Sequence, residues 1–297
     1  MYDMKASGVL AFSDGTNSIQ NPGILLKALQ YVLPINAVII QIPNDKSIGT
    51  TGLMNEGIIS TRLGLPGSPA IAEELMISRD IELLKYTNSK LHITGISTKK
   101  GLEIISKAKK EGLDISCSVT PYHCLLCDED LSTYDTNLKV DPPLRTREDM
   151  RAIRNALVEG TIDCIASHHI PQQWDDKTCE FEYAKYGMTG LETLFGVMNN
   201  VGMDLYKLIE QLTINPRKIF GLNIPEIKEG CNACLTLFDP DEEYIFEEAM
   251  IRSKSVNNAF VGKKLKGKVI GIINKNRVVV NVKAPYPPKG EIGKIES

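Results

Sequence analysis

The sequence predicts an α/β fold, a parallel sheet with crossover helices followed by a small carboxy-terminal β unit. Three observations predict it. Short β-branched runs alternate with amphipathic helical stretches five times between residues 8 and 169, the pattern of parallel strands joined by helices. Helix-capping residues stand at the junctions. Beyond NPRKIFGL the helical period gives way to short alternating runs, which suit antiparallel strands. A chain of 297 residues, 42% of them apolar, is long enough to bury a core.

The first strand is read in GVLAFSD (8–14), followed by a helix in NPGILLKALQYVL, where Asn21 is placed to cap and Pro22 to occupy the first turn. AVIIQI (37–42) is the second strand. A loop with the run NEG leads to a long helix, SPAIAEELMISRDIELLKYT, which Ser68 is expected to cap. KLHITGIS (90–97) precedes the helix TKKGLEIISKAKKEG, where Ile104, Ile105 and Ala108 form an apolar face and Gly112 is set to end it. DISCSVTP (114–121) and, after a long loop and the helix REDMRAIRNALVEG, TIDCIASHH (161–169) complete the five. TGLETLFGVMNNVG and DLYKLIEQLT read as helical. CLTLFDP and AFVGKKLKGKVIGIINKNRVVV read as strands of an antiparallel unit, one half of a β-sandwich. The organisation expected is therefore 1–222 for the sheet-and-helix part and 223–297 for the β unit.

Composition narrows the partners. A net charge of -3 with Lys and Arg scattered along the chain gives no electrostatic footprint for nucleic acid or an anionic membrane. The first residues lack a basic segment followed by an apolar one, and YVLPINAVIIQIP is short and broken by Pro34 and Asn36, so a cytoplasmic location is expected. Seven cysteines, an odd number, argue for reduced thiols. Two CxxC pairs, Cys124 with Cys127 and Cys231 with Cys234, leave two readings open: a structural zinc held by four thiolates, or incidental thiols. No GxGxxG or GxxxxGK follows a strand, so an open nucleotide-binding sheet has little support.

Six segments, LHITGIST, SVTPYHCLL, VDPPLRT, TIDCIASHHIP, YGMTGLET and LTINPRKIFGL, occur in the order and spacing seen in dihydroorotases. MNEGIISTRLGLPGSPAIAEE and RSKSVNNAFVGKKLKGKV extend the likeness over essentially the whole chain. The sequence thus resembles the dihydroorotases of the amidohydrolase superfamily. The resemblance implies a partial TIM-like (β/α) amidohydrolase barrel, with strands four to eight present, strands one to three absent, and a small carboxy-terminal β unit. Closing such a barrel takes eight strands, and five leave unpaired edges.

In that family zinc activates water to hydrolyse a cyclic amide, and an Asp on the last strand moves the proton. The implied ligand positions are altered here. The HxH pair belongs to the absent first strand. Asp14, in FSDG, falls near the bridging carboxylate. The fifth-strand His position is read as Gln41, whose amide oxygen is a poor zinc ligand. The sixth-strand His position is Gly95, which has no side chain, although His92 stands nearby. The catalytic Asp position is His168. Loss of so many donors leaves too few for one tightly held zinc. On the substrate side the resemblance points to Asp141, where an Asn is usual, to Arg145, to Gln172 in place of a His, and to Gly187, which with Gly190 shapes a loop.

A new constellation of His168, His169, His123 and Cys124 at the same barrel face competes with ordinary packing, which is favoured because adjacent residues of a regular strand face opposite ways. Two functions remain open. One is a non-catalytic dihydroorotase-like protein acting as a structural or regulatory partner, without a cofactor, as a homo-oligomer or docked on a pyrimidine-pathway enzyme. The other is a metal-dependent cyclic amidohydrolase, a zinc dihydroorotase completed by an upstream segment or a second chain.

Overall fold

The computed structural model describes residues 1–280. The remaining part of the expected carboxy-terminal unit, 281–297, lies outside the described residues. A short helix α1 (Tyr2–Ala6) leads into β1 (Ala11–Phe12), α2 (Pro22–Val32) and β2 (Val38–Gln41). The loop after β2 carries β3 (Met54–Asn55), α3 (Ile58–Leu63) and β4 (Gly67–Ser68). There follow α4 (Ile71–Thr87), β5 (Leu91–Thr94), α5 (Lys99–Lys110), β6 (Ile115–Val119), α6 (Pro121–Leu125), α7 (Arg147–Glu159) and β7 (Cys164–Ile165). The last part holds α8 (Leu194–Asn199), α9 (Leu205–Ile209), α10 (Asn215–Phe220), β8 (Cys234–Ile245), β9 (Lys264–Asn274) and β10 (Arg277–Val280).

The main sheet has the order β1-β2-β5-β6-β7, and every pairing in it is parallel. All five strands fall within the runs that the sequence predicts. β3 and β4 form a separate two-stranded parallel pair that sequence reading missed, since two-residue strands carry no readable period. β8, β9 and β10 make an antiparallel sheet, as expected.

Capping follows the sequence closely with one correction. Asn21 Oδ1 accepts from Gly23 N at 2.8 Å and Ile24 N at 3.2 Å, and the Thr98 and Thr146 hydroxyls cap α5 and α7. Ser68 does not cap α4. Its backbone belongs to β4, its carbonyl accepts from Glu56 N and Arg145 Nη1, and α4 begins three residues later behind Ala70.

One face of the main sheet is covered by helices. Leu25 and Leu29 of α2, Ile77, Ile81 and Leu84 of α4, Ile105 of α5 and Ile153 of α7 pack in one core with Ile39, Leu91, Ile93 and Cys117 from the strands. Spacings of three and four residues put each helical set on one stripe. A second core joins the loops after β2 and β6 to the β unit through Met54, Tyr122, Val140, Val197, Phe246 and Leu265. Asp163 pins β7: its Oδ2 accepts from Cys117 N at 2.6 Å and Lys109 Nζ at 2.5 Å.

A buried ionic cluster ties the helix layer to the loops at the carboxy ends of the strands. Glu73 of α4 is 1% exposed. Its carboxylate accepts from the backbone N–H groups of Ser97 and Thr98 at 3.0 Å and from both their hydroxyls. Arg145, 4% exposed, donates to Ser97 Oγ at 3.0 Å, Asn55 Oδ1 at 3.2 Å and the Ser68 carbonyl at 2.9 Å, with Nη2 3.8 Å from Glu73 Oε2. Burial raises the Glu73 carboxyl, while Arg145 and these donors pull it back. Removing one member of a buried pair strands the other charge. Glu73→Ala is therefore expected to lower unfolding free energy by about 3–5 kcal/mol in urea titrations, and an unchanged midpoint would contradict this account of the cluster.

Candidate functional site

Parallel sheets bind ligands beyond the carboxy ends of their strands, where the loops gather. Here the loops after β1, β2, β6 and β7 enclose a cavity of about 460 Å³, with Asn44, Lys46, Asp141, His168, Gln172 and Tyr186 among its walls. Three residues singled out from the sequence, Asp141, His168 and Gln172, are thus brought together. Asp141 Oδ1 accepts from Asn44 Nδ2 at 3.4 Å, and burial pushes its carboxyl above the ordinary range against the pull of Arg145 and Lys46. Gln172 lends its amide nitrogen to the Tyr186 carbonyl at 2.7 Å. Lys46 stands at the rim with Nζ 3.0 Å from Asn17 Oδ1.

The other two do not line the cavity. Arg145 lies beneath it in the Glu73 cluster, its guanidinium spent on protein partners. Gly187 has φ +128, and a side chain there would start 2.5 Å from Ile170 Cγ2. It allows the close passage of two loops, as expected for a loop-shaping glycine. Sequence reasoning missed Asn44, Lys46 and Tyr186. Only the position of the first two just after a strand could have signalled them.

His168 carries the most information about the site. β7 ends at Ile165, and His168 adopts φ +39, a left-handed conformation uncommon for a residue with a Cβ. The regular alternation assumed for the two histidines therefore does not apply. The His168 ring turns toward β5, where its Nε2 lies 2.8 Å from Thr94 Oγ1, while His169 Nδ1 accepts from Gly190 N at 3.1 Å. A Cβ added at Gly95 would stand 2.6 Å from His168 Cε1. The imidazole fills the space that a side chain at position 95 would need.

The Cys-His constellation is not assembled, in line with ordinary packing. His123 is buried, with Nδ1 2.8 Å from Thr120 Oγ1 and Nε2 3.1 Å from the Pro142 carbonyl. Cys124 is fully buried, and burial lifts its thiol to about 12. Of the CxxC pairs, Cys124 and Cys127 are buried whereas Cys231 and Cys234 are exposed. Asp14 is exposed and lies outside the cavity wall. Gln41 needs a correction. It shares a face with its partner Ile93, turned toward the helices, where its amide meets the Ile19 backbone at 3.2 and 3.4 Å and Met76 Sδ. The neighbouring Ile42 lines the cavity instead.

The side chains present do not fit a zinc ion. Ile42 and Gly95 offer no donor atom, and the Nε2 of His168 is engaged by Thr94. Among the described residues, no three His, Cys, Asp or Glu side chains gather in a metal-holding group, whereas a tight zinc site needs three or four.

The sequence profile of the amidohydrolase family matches residues 49–279. The chain belongs to the amidohydrolase family. Within it the chain is homologous to dihydroorotases: it is 38% identical over 283 residues to the dihydroorotase of Syntrophus aciditrophicus, covering 93% of this chain and 66% of that protein. It is 42% identical over 274 residues to that of Caldanaerobacter subterraneus subsp. tengcongensis, covering 91% and 63%. The chain thus spans just under two thirds of the length of these relatives. In fold it is similar to the L-hydantoinase (dihydropyrimidinase) of Arthrobacter aurescens, with TM-score 0.82 and 23% identity, over 98% of this chain and 67% of that one. The partial TIM-like barrel expected from the resemblance accords with these relations.

Two predictions follow from the geometry. Gly95→Ala combines a positive φ of +76 with a 2.6 Å contact, so it is expected to destabilise the chain by about 1–3 kcal/mol. The loss should shrink when His168→Ala is added, and strictly additive unfolding energies would rule out the contact as its source. The second concerns acid. Burial holds His92 and His123 at about 3 and His168 at about 4, against an ordinary 6.5. Below about pH 6.5 the unfolded chain takes up protons that the folded one refuses, so stability falls toward pH 4 and is fully present above 6.5. Asp80, raised to about 6 by burial, acts oppositely, gaining stability as pH drops from about 7 to 4, and Glu73, Asp128 and Asp141, which burial also raises, act in the same sense. The carboxyls are common to wild type and to His92→Asn, so the variant is expected to lose less stability than the wild type between pH 7 and pH 4.5 in urea titrations, and parallel profiles would contradict a buried neutral His92.

Proposed function

We propose that this chain is a dihydroorotase-like protein that does not itself hydrolyse a cyclic amide, and that it serves as a structural or regulatory partner in pyrimidine synthesis. One observation carries the reading: the His168 imidazole fills the volume next to Gly95, where the family resemblance calls for a metal-binding His and an Asp. Metal-assisted hydrolysis needs an open coordination position beside a base, and this arrangement supplies a packed ring in its place. In this reading residues 1–222 form the barrel part and those from 223 the β unit, and the chain works in the cytoplasm without a resident metal. Its partner is a second copy or a pyrimidine-pathway enzyme. The outer edges of β1 and β7 support association, since neither pairs with another strand among the described residues.

A second reading is a metal-dependent cyclic amidohydrolase completed by an upstream segment or a second chain. It is favoured by the retained polar cavity, with Asp141 and Lys46 on its walls. Zinc analysis and dihydroorotate hydrolysis, assayed with added zinc on the protein purified from its native source together with any segment or chain that accompanies it, decide between them. Sub-stoichiometric metal and no turnover are expected. Stoichiometric zinc with turnover would sink the non-catalytic reading.

A further inference from the structure

The parallel register of β5 and β6 sets His92 opposite Ser116 and Thr94 opposite Ser118. All four side chains stand on the face turned away from the helices, since Leu91, Ile93, Ile115 and Cys117 take the other. The interior of a (β/α) barrel is ordinarily filled by branched aliphatic residues. Here it carries a continuous polar track. Ser116 Oγ lies 2.8 Å from His92 Nδ1, His92 Nε2 is 3.0 Å from Ser118 Oγ, Ser118 Oγ is 2.9 Å from Thr94 Oγ1, and Thr94 Oγ1 is 2.8 Å from His168 Nε2. At its inner end Ser116 borders a separate cavity of about 260 Å³ with Lys90, Asp114 and Lys218. At its outer end His168 reaches the mouth cavity.

The direction of the track follows from counting protons. The Ser118 hydroxyl donates to Thr94 Oγ1, and a hydroxyl has only one proton to give. Ser118 must therefore accept from His92, which places the His92 proton on Nε2. The other nitrogen of a neutral imidazole is bare, so His92 Nδ1 accepts from the Ser116 hydroxyl. Thr94, having accepted from Ser118, directs its own proton to His168 Nε2. That nitrogen is then the acceptor, and the ring proton of His168 resides on Nδ1, for which the described residues provide no hydrogen-bond partner.

We propose that Ser116, His92, Ser118 and Thr94 form a one-way hydrogen-bond relay whose role is to position His168 as the neutral Nδ1–H tautomer, so that the mouth cavity meets its ligand with a donor. Such a donor suits a carbonyl or carboxylate oxygen. It offers no lone pair to a cation, because one ring nitrogen is protonated and the other is held by Thr94. His92, Ser118 and Thr94 are positioning residues in this scheme, and His168 is the group that sets specificity. The ligand clause rests on the metal-free reading of the mouth; the tautomer assignment does not.

The chain has four histidines, few enough for each ring nitrogen to be assigned by long-range ¹H–¹⁵N correlation on uniformly labelled, chelator-treated protein. The expected result at pH 7 is His92 protonated at Nε2 only and His168 at Nδ1 only. Ser118→Ala cuts the relay in its middle, and His168 should lose its single-tautomer signature and show both forms. His123 and His169, which lie outside the relay, should keep their wild-type nitrogen shifts and report an intact fold. Thr94→Val should abolish the preference at His168 and, because Ser118 then loses the acceptor that fixes its proton, release His92 from its Nε2–H form as well, a second route if the serine variant folds poorly. A His168 proton on Nε2, an imidazolium at pH 7, or a His168 indifferent to both substitutions would overturn the proposal. Zinc-dependent turnover, which would end the non-catalytic reading, is measured separately and leaves the tautomers of the chelated protein unaffected.

Discussion

Two chain segments cannot occupy one volume, and at the carboxy end of the sheet that rule is enforced between β5 and the turn after β7. Gly95 lacks a side chain, and the His168 ring lies where one would begin. The fit requires both the left-handed turn at His168 and the hydrogen bond to Thr94 that holds the ring against β5. From it follow the shape of the cavity mouth and the connection of the mouth to the polar interior. Packing of this density leaves no slack for a further group, which is why the change at one strand end is felt at its neighbour's.

The buried ionic cluster serves the same region from below. Glu73 holds the start of α5 through Ser97 and Thr98, and Arg145 carries that hold to Asn55 and Ser68 in the loop after β2. His123 performs a similar task for the segment bearing Asp141, by holding the carbonyls of Pro142 and Pro143. The cavity walls are therefore set by groups that never reach the cavity. Arg145 keeps its place in the family-like run VDPPLRT, yet its work is mechanical. A charged residue can be retained for the loops it joins as well as for a ligand it meets.

The strands and helices were legible because their periods are strong: the helical stripe of Ile77, Ile81 and Leu84, and the β-branched runs around Ile39 and Ile93. The strand pair β3 and β4 was not, being too short to show alternation. The site was legible in part. The family resemblance placed His168 and Asp141 at the right end of the sheet, but which way a residue faces at a strand's last position depends on where pairing stops. That uncertainty pointed Gln41 into the cavity, whereas it faces the helices and Ile42 lines the wall. The same limit hid the relay. His92, Thr94, Ser116 and Ser118 alternate with apolar residues in plain view, but only the register between two strands reveals that they meet.

The interlock of His168 with Gly95 also couples substitutions at the two positions. A larger side chain at 95 collides with the imidazole while it remains, and an Asp installed first at 168 would put a second carboxylate in the cavity wall that already holds Asp141, beside a Thr94 hydroxyl left to find a new acceptor. A side chain at 95 and the ring at 168 thus exclude one another, and the two positions can change size only in concert.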